Sequence, residues 1–573
     1  MDMTHDPLRR DRARRSAPTT SARAGNAAYF KGQPVDVPRN YRQAMKSPHA
    51  DEWRQSTRDH LQMHRDQGSW VETIVPCAQR AIPMQWVFQP KTDGNDEVTK
   101  WKARAVALGN LQRPGLDFDQ TFAPTIRGEQ VRLLVAIGAA LKGAKLRDHP
   151  TGPIAIISTG DVSDAYLSSD LIDDNVYISL PEGYVPALTT SPGFKVVGKV
   201  KRGLPGLRQS GRYWHIEQEK RLLERGFKPC TAASCIYVKE ISPTEYLVIG
   251  VFVDDWLVLN LTSDPNAVTD LIASLSGHFV VKMAAVFERF LGAQFESRPD
   301  GIYMHLTQYV RGLLERFGMS DSRPAATPEA GKDESSEALD ETLLNRADTQ
   351  LYQQITGALL FASTTVRLDL AHAVNMLARR MSVPRVCDMK AARRVLRYLR
   401  GTIALGLLFR YAPDPLRPNL SAFADADWAG DEVGRRSTSG YVVLYNGAPI
   451  AWHSGLQSIV ALSTCESEYI ALAECAREIS YLRTVLAFLR REESNPTTIF
   501  EDNQGTIHLV ENPVHHKRSK HIEVRFHYIR LAQQTGIVKV TKVHTDDNRA
   551  DIFTKSTPAM VFRRHVSALM FLP

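Results

Sequence analysis

The sequence predicts an α+β protein built from several domains, on three observations. The chain has 573 residues, which is too many for one hydrophobic core, so about three to four domains are expected. Two apolar runs of the β type, YLVIGVF and WLVLN, meet at a pair of adjacent carboxylates. Towards the C-terminus, segments with a strand pattern and segments with a helix pattern occur in the same part of the chain, which is typical of a mixed α and β domain.

Composition and charge narrow the class of protein. Hydrophobic residues make up 43% of the chain and charged residues 23%, as in ordinary soluble globular proteins. The net charge of +8 favours a polyanionic partner, although ribosomal-type and membrane-surface roles fit it equally. Six scattered cysteines without CxxC spacing argue against a zinc knuckle or a disulfide framework and indicate a reducing compartment. No segment resembles a signal peptide, and no run approaches the roughly 18 apolar residues of a membrane span. We therefore expect an intracellular protein without a membrane partner.

Low-complexity segments divide the chain. The first forty residues are arginine-rich and poor in core residues, which predicts a disordered basic tail with nuclear import, RNA contact or no role as open alternatives. Residues 41–70 have a helical pattern, IPMQWVFQPK predicts a strand that turns at Asp93-Gly94, and residues 133–141 are typical of a buried helix. Polar residues 320–341 indicate a linker, and PDPLRPN marks a further boundary. The predicted segments are 1–40, 41–319, 320–342, 343–416 and 417–565.

Three carboxylates are expected to converge in the first large segment. The two apolar strands meet at Asp254 and Asp255, and another strand, AIISTG, ends at Asp161, with the aromatic Tyr166 soon after it. The 93 residues between Asp161 and Asp254 leave room for helices before the chain returns to an adjacent strand. Because neighbouring carboxylates repel each other, we expect a pair of divalent cations here, roughly 3.5–4 Å apart, as in two-metal phosphoryl chemistry. An Asp-Asp surface turn is the alternative.

A second set of acids lies near the C-terminus. SAFADADWAG predicts a strand that delivers Asp425, and two more strands follow, joined by the hairpin turn Asn446-Gly447. A long helix carries Glu468 in its first turns, a strand ends at Asp502, and Asp551 lies at a helix start. The order of elements and acids resembles the ribonuclease H fold. Four convergent carboxylates again imply two Mg²⁺ ions, and the resemblance implies that these ions activate a water against an RNA phosphate.

Motifs of the first large segment give a more specific resemblance. WKARAVALGN, DQTFAPTIR, GDVSDAYL, NVYISLPEGY, GLPGLRQSGRYW, FVDD and RFLGAQF occur in the order found in reverse transcriptases of copia-type LTR retrotransposons. The resemblance implies a right-hand polymerase with fingers, palm, a short thumb and a connection, followed by an RNase H-like α/β domain. The roles it implies are the metal triad Asp161, Asp254 and Asp255, the sugar gate Tyr166, the triphosphate-binding Lys102 and Arg104, Gln209 near the nucleotide, and the primer brace Phe290, Leu291 and Gly292. A solvated strand face is the alternative for Lys102 and Arg104, and a core aromatic is the alternative for Tyr166.

The C-terminal segment continues this resemblance through RRSTSGY, ESEYIAL, EDNQ, KHIEVRFHYIR and ADIFTK. The implied metal ligands of a ribonuclease H site are Asp425, Glu468, Asp502 and Asp551, with Glu466 as a rival of Glu468. Two basic stretches, residues 393–400 and 515–521, are interpreted either as contacts with the phosphates of a hybrid or as solvated faces. Departures from the family pattern include Pro205 in place of Tyr, Leu368 in place of Pro and Cys465 in place of Thr, and the segment before Asp161 is longer than in the family.

These features predict an RNA-directed DNA polymerase with ribonuclease H activity that copies retrotransposon RNA and degrades the RNA of the hybrid. The expected partners are an RNA template, a DNA primer, the RNA–DNA hybrid and deoxynucleoside triphosphates (dNTPs). The expected cofactor is Mg²⁺, two ions per active site, with Mn²⁺ as the alternative, and the expected location is a cytoplasmic particle or the nucleus. Two alternatives stay open: a non-catalytic nucleic-acid-binding relic that keeps the fold, and a polymerase of the intron or telomere-maintenance type, which the nuclease pattern disfavours.

Overall fold

A computed structural model describes residues 29–30, 33–92, 97–147, 154–170, 176–331, 340–411, 419–431, 433–511 and 523–573. Most of the predicted basic tail at 1–40, the turn at Asp93-Gly94 and the basic stretch at 515–521 lie outside these residues. Within them, no helix is long and apolar enough to cross a membrane.

Helices and strands occur throughout the described ranges, which confirms the predicted mixed α/β character. The helices are α1 (Tyr41–Ala44), α2 (Ala50–Asp66), α3 (Gly128–Arg147), α4 (Ser210–Leu223), α5 (Ala267–Leu275), α6 (Thr307–Arg316), α7 (Arg346–Thr365), α8 (Ala371–Arg379), α9 (Val386–Gly401), α10 (Thr464–Phe488), α11 (Gln504–Glu511), α12 (Glu523–Gln534) and α13 (Ala559–Leu569). The strands are β1 (Tyr29–Phe30), β2 (Gln33–Pro34), β3 (Trp70–Pro76), β4 (Met84–Thr92), β5 (Val98–Ala107), β6 (Ile154–Val162), β7 (Tyr177–Ile178), β8 (Phe194–Val200), β9 (Lys228–Cys230), β10 (Ala233–Glu240), β11 (Tyr246–Phe252), β12 (Asp255–Thr262), β13 (Val281–Met283), β14 (Arg289–Phe290), β15 (Ala293–Arg298), β16 (Gly301–His305), β17 (Leu407–Arg410), β18 (Leu420–Asp427), β19 (Thr438–Tyr445), β20 (Ala448–Leu456), β21 (Thr497–Glu501) and β22 (Val538–Lys542). Short 3₁₀ turns lie at Gly109–Leu111, Ala165–Ser168, Leu368–Leu370, Thr545–Asp547 and Arg549–Phe553.

The chain divides into two compact units. The first unit comprises Met1–Asp117 and Ile172–Leu207, and the second comprises Phe118–Leu171 and Arg208–Pro573. The first unit contains parts of the predicted segment 41–319, and the second unit contains the rest of it together with the predicted segments 343–416 and 417–565. The boundaries between the predicted segments stay a prediction.

In the first unit, helix α2 packs on the hairpin formed by β4 and β5. The buried side chains of Trp53, Trp86 and Phe88 form its core. Ser56 of α2 joins the helix to β5, because its hydroxyl donates to the carbonyl of Trp101 (3.0 Å) and accepts from the amide of Ala103 (2.9 Å). The helical pattern predicted for residues 41–70 corresponds to α1 and α2 in the structure. Helix α2 ends at Asp66, and Trp70 is already the first residue of strand β3.

A buried histidine makes the first unit sensitive to acid. Burial, and then the neighbouring His60, lowers the pKa of His64 from 6.5 to about 3, so His64 is neutral in the fold. An unfolded chain protonates this residue below pH 6.5, hence stability is retained above that pH and falls as the pH drops towards 3. We expect the first unit to lose about 2 kcal/mol between pH 7 and pH 5.

Hydrogen exchange of the α2 amides in the full chain, corrected for intrinsic rates at both pH values, measures this loss. The variant His64→Gln should remove most of it, whereas His544→Gln, which changes an exposed histidine of the second unit, should not. An equal pH dependence in His64→Gln would contradict the assignment.

The second unit contains a six-stranded sheet with strand order β13-β6-β12-β11-β10-β9. The apolar strands predicted on either side of the carboxylate pair are β11 and β12, which pair antiparallel, and β12 pairs antiparallel with β6. Helix α3 packs against β6 and contains the predicted buried helix at 133–141. A separate four-stranded sheet follows, with order β14-β15-β16-β17.

The C-terminal part of the second unit forms a five-stranded sheet with order β20-β19-β18-β21-β22. Strands β18, β19 and β20 pair antiparallel, whereas β21 and β22 run parallel to β18. The predicted hairpin turn joins β19 and β20, and both of its residues have positive φ, 50° at Asn446 and 81° at Gly447. This is the conformation that a type I′ turn requires and that an Asn-Gly pair adopts readily.

One hydrophobic core runs through the second unit. Fully buried side chains from four of its elements belong to it, which are Leu134 of α3, Leu359 of α7, Leu396 of α9 and Val442 of β19. The substituted Leu368 also lies in this core. The amide of this leucine, which the family's proline would lack, donates to the Val366 carbonyl (3.0 Å).

Buried Arg132 of α3 joins three elements of the second unit. Its guanidinium donates to the carbonyls of Thr364 (3.0 Å) and Thr365 (2.9 Å) at the C-terminus of α7, and to the carbonyl of Ile450 in β20 (2.7 Å). The same group lies 3.9 Å from the ring centroid of Trp452. A cation is favourable both at a helix C-terminus and over an indole ring, so Arg132 fixes α7 and β20 to α3.

Part of the predicted linker, residues 320–331, lies along helix α9. The side chain of Arg397 donates to the carbonyl of Arg323 (2.8 Å), and that of Arg394 donates to the Thr327 hydroxyl (3.2 Å). Neither interpretation of the arginine-rich stretch 393–400 included this contact. These two arginines are engaged by the protein's own chain.

Candidate functional site

The first group of predicted acids lies at the tip of the β11–β12 hairpin. Asp255, the first residue of β12, is paired in register with Asp161 of β6. Paired residues of adjacent antiparallel strands share a face of the sheet with Cβ atoms about 4.5–5.5 Å apart. On the other side of β6, Lys282 of β13 is paired with the same Asp161. The sheet therefore places two predicted ligands and a lysine in one row.

The hairpin turn holds an unfavourable backbone conformation. Phe252 pairs with Asp255, so Val253 and Asp254 form a two-residue turn in which Val253 has a φ of 57°. A β-branched residue rarely adopts positive φ, and such strain persists only where the surroundings impose it. Here the indole of Trp214 in α4 donates to the Val253 carbonyl (2.7 Å), and the Val162 amide donates to the Asp254 carbonyl (2.8 Å).

Burial and mutual repulsion shape the electrostatics of this hairpin tip. Burial, then Asp254 and Asp161, raises the pKa of Asp255 from 3.8 to about 6. Burial, then Asp254, also raises the pKa of Tyr166, which lies half-buried in the 3₁₀ turn Ala165–Ser168. A positive charge between the three carboxylates would offset this repulsion, which is the property expected of a cation site.

The other residues implied in nucleotide binding lie in different places. Lys102 and Arg104 belong to the first unit and alternate along β5 with the buried Ala103 and Ala105, so they share the face of the hairpin away from its core. Gln209 belongs to the second unit and is fully buried directly before α4. The position of Lys102 and Arg104 fits both the implied triphosphate-binding role and the alternative of a solvated strand face, so the role stays a prediction. The burial of Gln209 was not predicted.

The implied primer brace forms a tight turn. Phe290 is buried at the end of β14, and the next two residues have positive φ, 48° at Leu291 and 84° at Gly292. They join β14 to β15, where Phe290 pairs with Ala293. A Cβ at position 292 would come within 3.0 Å of the Phe361 ring of α7, so glycine is required there by both conformation and space.

The second group of predicted acids forms a compact cluster. Asp425 of β18, Glu468 of α10 and Asp502, which follows β21, each bring one carboxylate oxygen within 4.8 Å of the others. Among the described residues, the carboxylates of this group are the ones that come this close to one another. The carboxylates of the first group, Asp161, Asp254 and Asp255, lie at one end of their strands but are farther apart than this.

The donors of the second cluster suit a hard divalent cation. They are all carboxylate oxygens, which Mg²⁺ and Mn²⁺ prefer. The Oε2 atom of Glu468 is buried and accepts no hydrogen bond from the described residues. Burial, and then Glu501, Asp425 and Asp502, raises the pKa of Glu468 well above its ordinary value. A cation held by Asp425, Glu468 and Asp502 would compensate both the missing hydrogen bond and the repulsion.

Glu466, the rival of Glu468, has a different environment. Its carboxylate accepts from the Leu462 amide (2.8 Å), and its own amide donates to the hydroxyl of Ser463, the N-cap residue of α10 (3.2 Å). A side chain used in this way stabilises the start of a helix. The structure thus places Glu468, and not Glu466, with Asp425 and Asp502.

Asp551, the fourth predicted ligand, lies in the 3₁₀ turn Arg549–Phe553 and not at the start of an α-helix. Its carboxylate Oδ1 is 2.9 Å from the ammonium of Lys555, which is also 3.5 Å from Oδ2 of Asp425. Burial, and then Asp425, raises the pKa of Asp551 to about 7. Although burial opposes it, the carboxylates of Asp425 and Asp551 raise the pKa of Lys555 above its ordinary value.

Sequence reasoning missed two charged residues of this cluster, Glu501 and Lys555. Glu501 is fully buried at the end of β21, on the same strand face as the buried Thr497 and Ile499. The alternation of residues along TTIFE indicates that Glu501 shares a strand face with Thr497 and Ile499, so the sequence did contain a signal for its burial. Lys555 is four residues after Asp551, a spacing that places two side chains together in a helical turn.

Carboxylates therefore lie together on two separate sheets, and those of Asp425, Glu468 and Asp502 form a candidate site for a divalent cation. A family model described as "Reverse transcriptase (RNA-dependent DNA polymerase)" matches residues 68–330. The chain is 30% identical to a Retrovirus-related Pol polyprotein from transposon TNT 1-94 of Nicotiana tabacum, over 97% of this chain and 40% of that protein. It is 31% identical to the corresponding polyprotein from transposon RE1 of Arabidopsis thaliana, over 93% of this chain and 34% of that protein.

The chain belongs to the reverse transcriptase family of copia-type, retrovirus-related Pol polyproteins. It spans less than half the length of these two relatives. Among solved structures it is similar to the foamy viral protease-reverse transcriptase in complex with dsDNA, with 12% identity and a TM-score of 0.43 over 86% of this chain and 83% of that chain.

Proposed function

We propose that this chain is an RNA-directed DNA polymerase that also cleaves the RNA of an RNA–DNA hybrid. The observation that carries the polymerase assignment is the register of β6 and β12, which sets Asp161 opposite Asp255 beside the turn residue Asp254. The compact group of Asp425, Glu468 and Asp502 carries the nuclease assignment. In a right-hand layout, the six-stranded sheet and α3 are the palm, and the first unit supplies the fingers with Lys102 and Arg104.

Each centre would use its own residues in a defined way. Asp161, Asp254 and Asp255 would hold divalent cations, which lower the charge on an incoming triphosphate and orient the attacking hydroxyl. Tyr166, next to Asp254, would pack under the sugar and exclude a 2′-hydroxyl, and Lys102 and Arg104 would bind the triphosphate. In the nuclease centre, Asp425, Glu468 and Asp502, with Asp551, would hold cations that activate a water against an RNA phosphate.

The proposed partners follow from these two reactions. They are an RNA template, a DNA primer, the RNA–DNA hybrid and dNTPs, with Mg²⁺ as the cofactor, two ions per centre, and Mn²⁺ as the alternative. The net charge of +8 is consistent with a polyanionic partner bound through its backbone. We propose a location in a cytoplasmic particle or in the nucleus.

Primer extension on an RNA template with Mg²⁺ tests the polymerase assignment. The substitution Asp255→Asn should lower the extension rate by more than about a hundredfold, because even residues that only orient a metal ligand contribute about 10- to 100-fold. The control Asp270→Asn changes an exposed aspartate of α5, next to the same sheet, and should extend at the wild-type rate.

The same assay separates an active enzyme from a non-catalytic relic. Absence of extension by the folded wild-type chain would favour the relic that only binds nucleic acid. At one of the departures from the family pattern, Pro205, the described structure has a regular backbone hydrogen bond. The carbonyl of Pro205 still accepts the Ala107 amide at 2.9 Å, so the turn around Gly206 closes with proline in place.

A further inference from the structure

A lysine ammonium lies among the carboxylates of the second cluster. Lys555 Nζ is 2.9 Å from Oδ1 of Asp551 and 3.5 Å from Oδ2 of Asp425. The hydroxyl of Thr554 donates to the same oxygen of Asp425. The Lys555 side chain is partly exposed, whereas both carboxylates are buried, and opposite charges at these distances attract each other more strongly there than in bulk water. The protein itself therefore neutralises Asp551 and one oxygen of Asp425.

Of the three acids that meet one another, only Asp425 also pairs with Lys555, and Glu468 and Asp502 have no partner cation among the ion pairs of the described residues. Asp425, Glu468 and Asp502 approach one another with one oxygen each, and Glu468 Oε2 is buried without a hydrogen bond. The cluster thus has an open half, formed by three acids, and a half bridged by Lys555.

We propose that Lys555 is a resident cation of this cluster: one divalent cation binds through Asp425, Glu468 and Asp502, and Asp551 becomes a ligand only when Lys555 leaves it. The inference rests on the proposed nuclease function for what draws the lysine away, which is a phosphate of the RNA strand. A lysine is a compact charge on a flexible stem of four carbons, so its ammonium can pass from a carboxylate to a phosphate without a change in the backbone. Lys555 would then act as a positioning residue that reserves the second cation position until substrate is bound.

Cation binding in the absence of nucleic acid tests the proposal without relying on catalysis. Calorimetric and electron paramagnetic resonance titrations with Mn²⁺ would compare the full wild-type chain with Lys555→Met, which removes the charge and keeps the length. We expect Lys555→Met to bind one more Mn²⁺, or to bind Mn²⁺ about tenfold more tightly, since one close charge typically shifts cation affinity by a factor of about ten or more. The control Lys539→Met removes an exposed lysine of β22 in the same sheet and should behave as wild type.

Two further variants locate the effect. Lys555→Arg keeps the positive charge and should retain wild-type Mn²⁺ binding. Adding Asp551→Asn to Lys555→Met should remove the additional ion, because the proposed ligand is lost. Should Lys555→Met unfold, Lys555→Gln provides the same comparison, with circular dichroism as the check of folding.

The outcomes distinguish this proposal from the nuclease assignment. Unchanged Mn²⁺ stoichiometry and affinity in a folded Lys555→Met chain would overturn the role of Lys555 as a resident cation and leave it as an ion pair that stabilises the fold. Cleavage of a hybrid by the wild-type chain tests the nuclease function separately. A wild-type chain that cleaves no hybrid, while Lys555→Met gains an ion, would refute the nuclease function and retain the role of Lys555.

Discussion

Replacing Asp425 with asparagine is expected to abolish cleavage of RNA in a hybrid while the same chain continues to synthesise DNA. Asp425 contributes to the open group with Glu468 and Asp502 and also to the ion pair with Lys555, so the substitution affects both halves of the cluster. We expect more than about a hundredfold loss of cleavage, by comparison with the 10- to 100-fold effects of residues that only orient metal ligands. An end-labelled RNA annealed to an extendable DNA primer reports both activities in one reaction.

The matched control for this prediction is Asp546→Asn, which changes an exposed aspartate in the 3₁₀ turn Thr545–Asp547 and should leave both activities unchanged. Continued hybrid cleavage by Asp425→Asn would contradict the assignment of the second centre. Loss of extension together with cleavage would show that the substitution acts through the common core of the second unit and not through cation binding.

The second large effect is expected on stability, from Asp369→Asn. Arg367 and Asp369 form a fully buried ion pair with two hydrogen bonds, Nε to Oδ1 at 3.0 Å and NH2 to Oδ2 at 2.7 Å. The guanidinium also donates to the carbonyl of Thr402 (3.0 Å), the residue that ends α9. Removal of one partner of a buried pair leaves an uncompensated charge, so we expect the free energy of unfolding to fall by about 3–5 kcal/mol.

An exposed pair supplies the comparison. Arg385 and Glu341 are 2.7 Å apart at the surface, so Glu341→Gln should change the free energy of unfolding by about 1 kcal/mol or less. Urea unfolding of the second unit in the full chain measures both substitutions. Replacing both partners, as Arg367→Met with Asp369→Leu, should restore much of the stability, because the buried charge is then absent. Equal effects of Asp369→Asn and Glu341→Gln would contradict the role of burial.

Local patterns predicted the elements of the fold well. Alternation and apolar runs located β11, β12 and the helix around Leu134, and the Asn446-Gly447 pair located a hairpin turn with positive φ at both residues. These signals are local, since they depend on neighbours in the chain. The division into two units was not predicted, because it depends on packing between distant residues, such as Arg132 with Trp452.

For the candidate sites, too, the sequence predicted local features but not contacts between distant residues. The sequence predicted carboxylates on or beside these strands, and the structure pairs Asp161 with Asp255 and brings Asp425 beside Glu468. It did not predict that Gln209 is buried or that Lys555 neutralises Asp551. A charge pattern alone cannot show which partner a buried side chain has, because the partner is fixed by tertiary geometry.

The hydrophobic core that α3, α7, α9 and the five-stranded sheet share has a consequence for proteolysis of this chain. An endoprotease that cut the chain between residues 411 and 419 would break the covalent link between the five-stranded sheet and α3, α7 and α9, but it would not break their packing. The buried side chains of Leu359 and Val442 and the hydrogen bonds of Arg132 would still hold the fragments together. A nicked molecule should therefore migrate as one particle under native conditions, and the isolated pieces should aggregate.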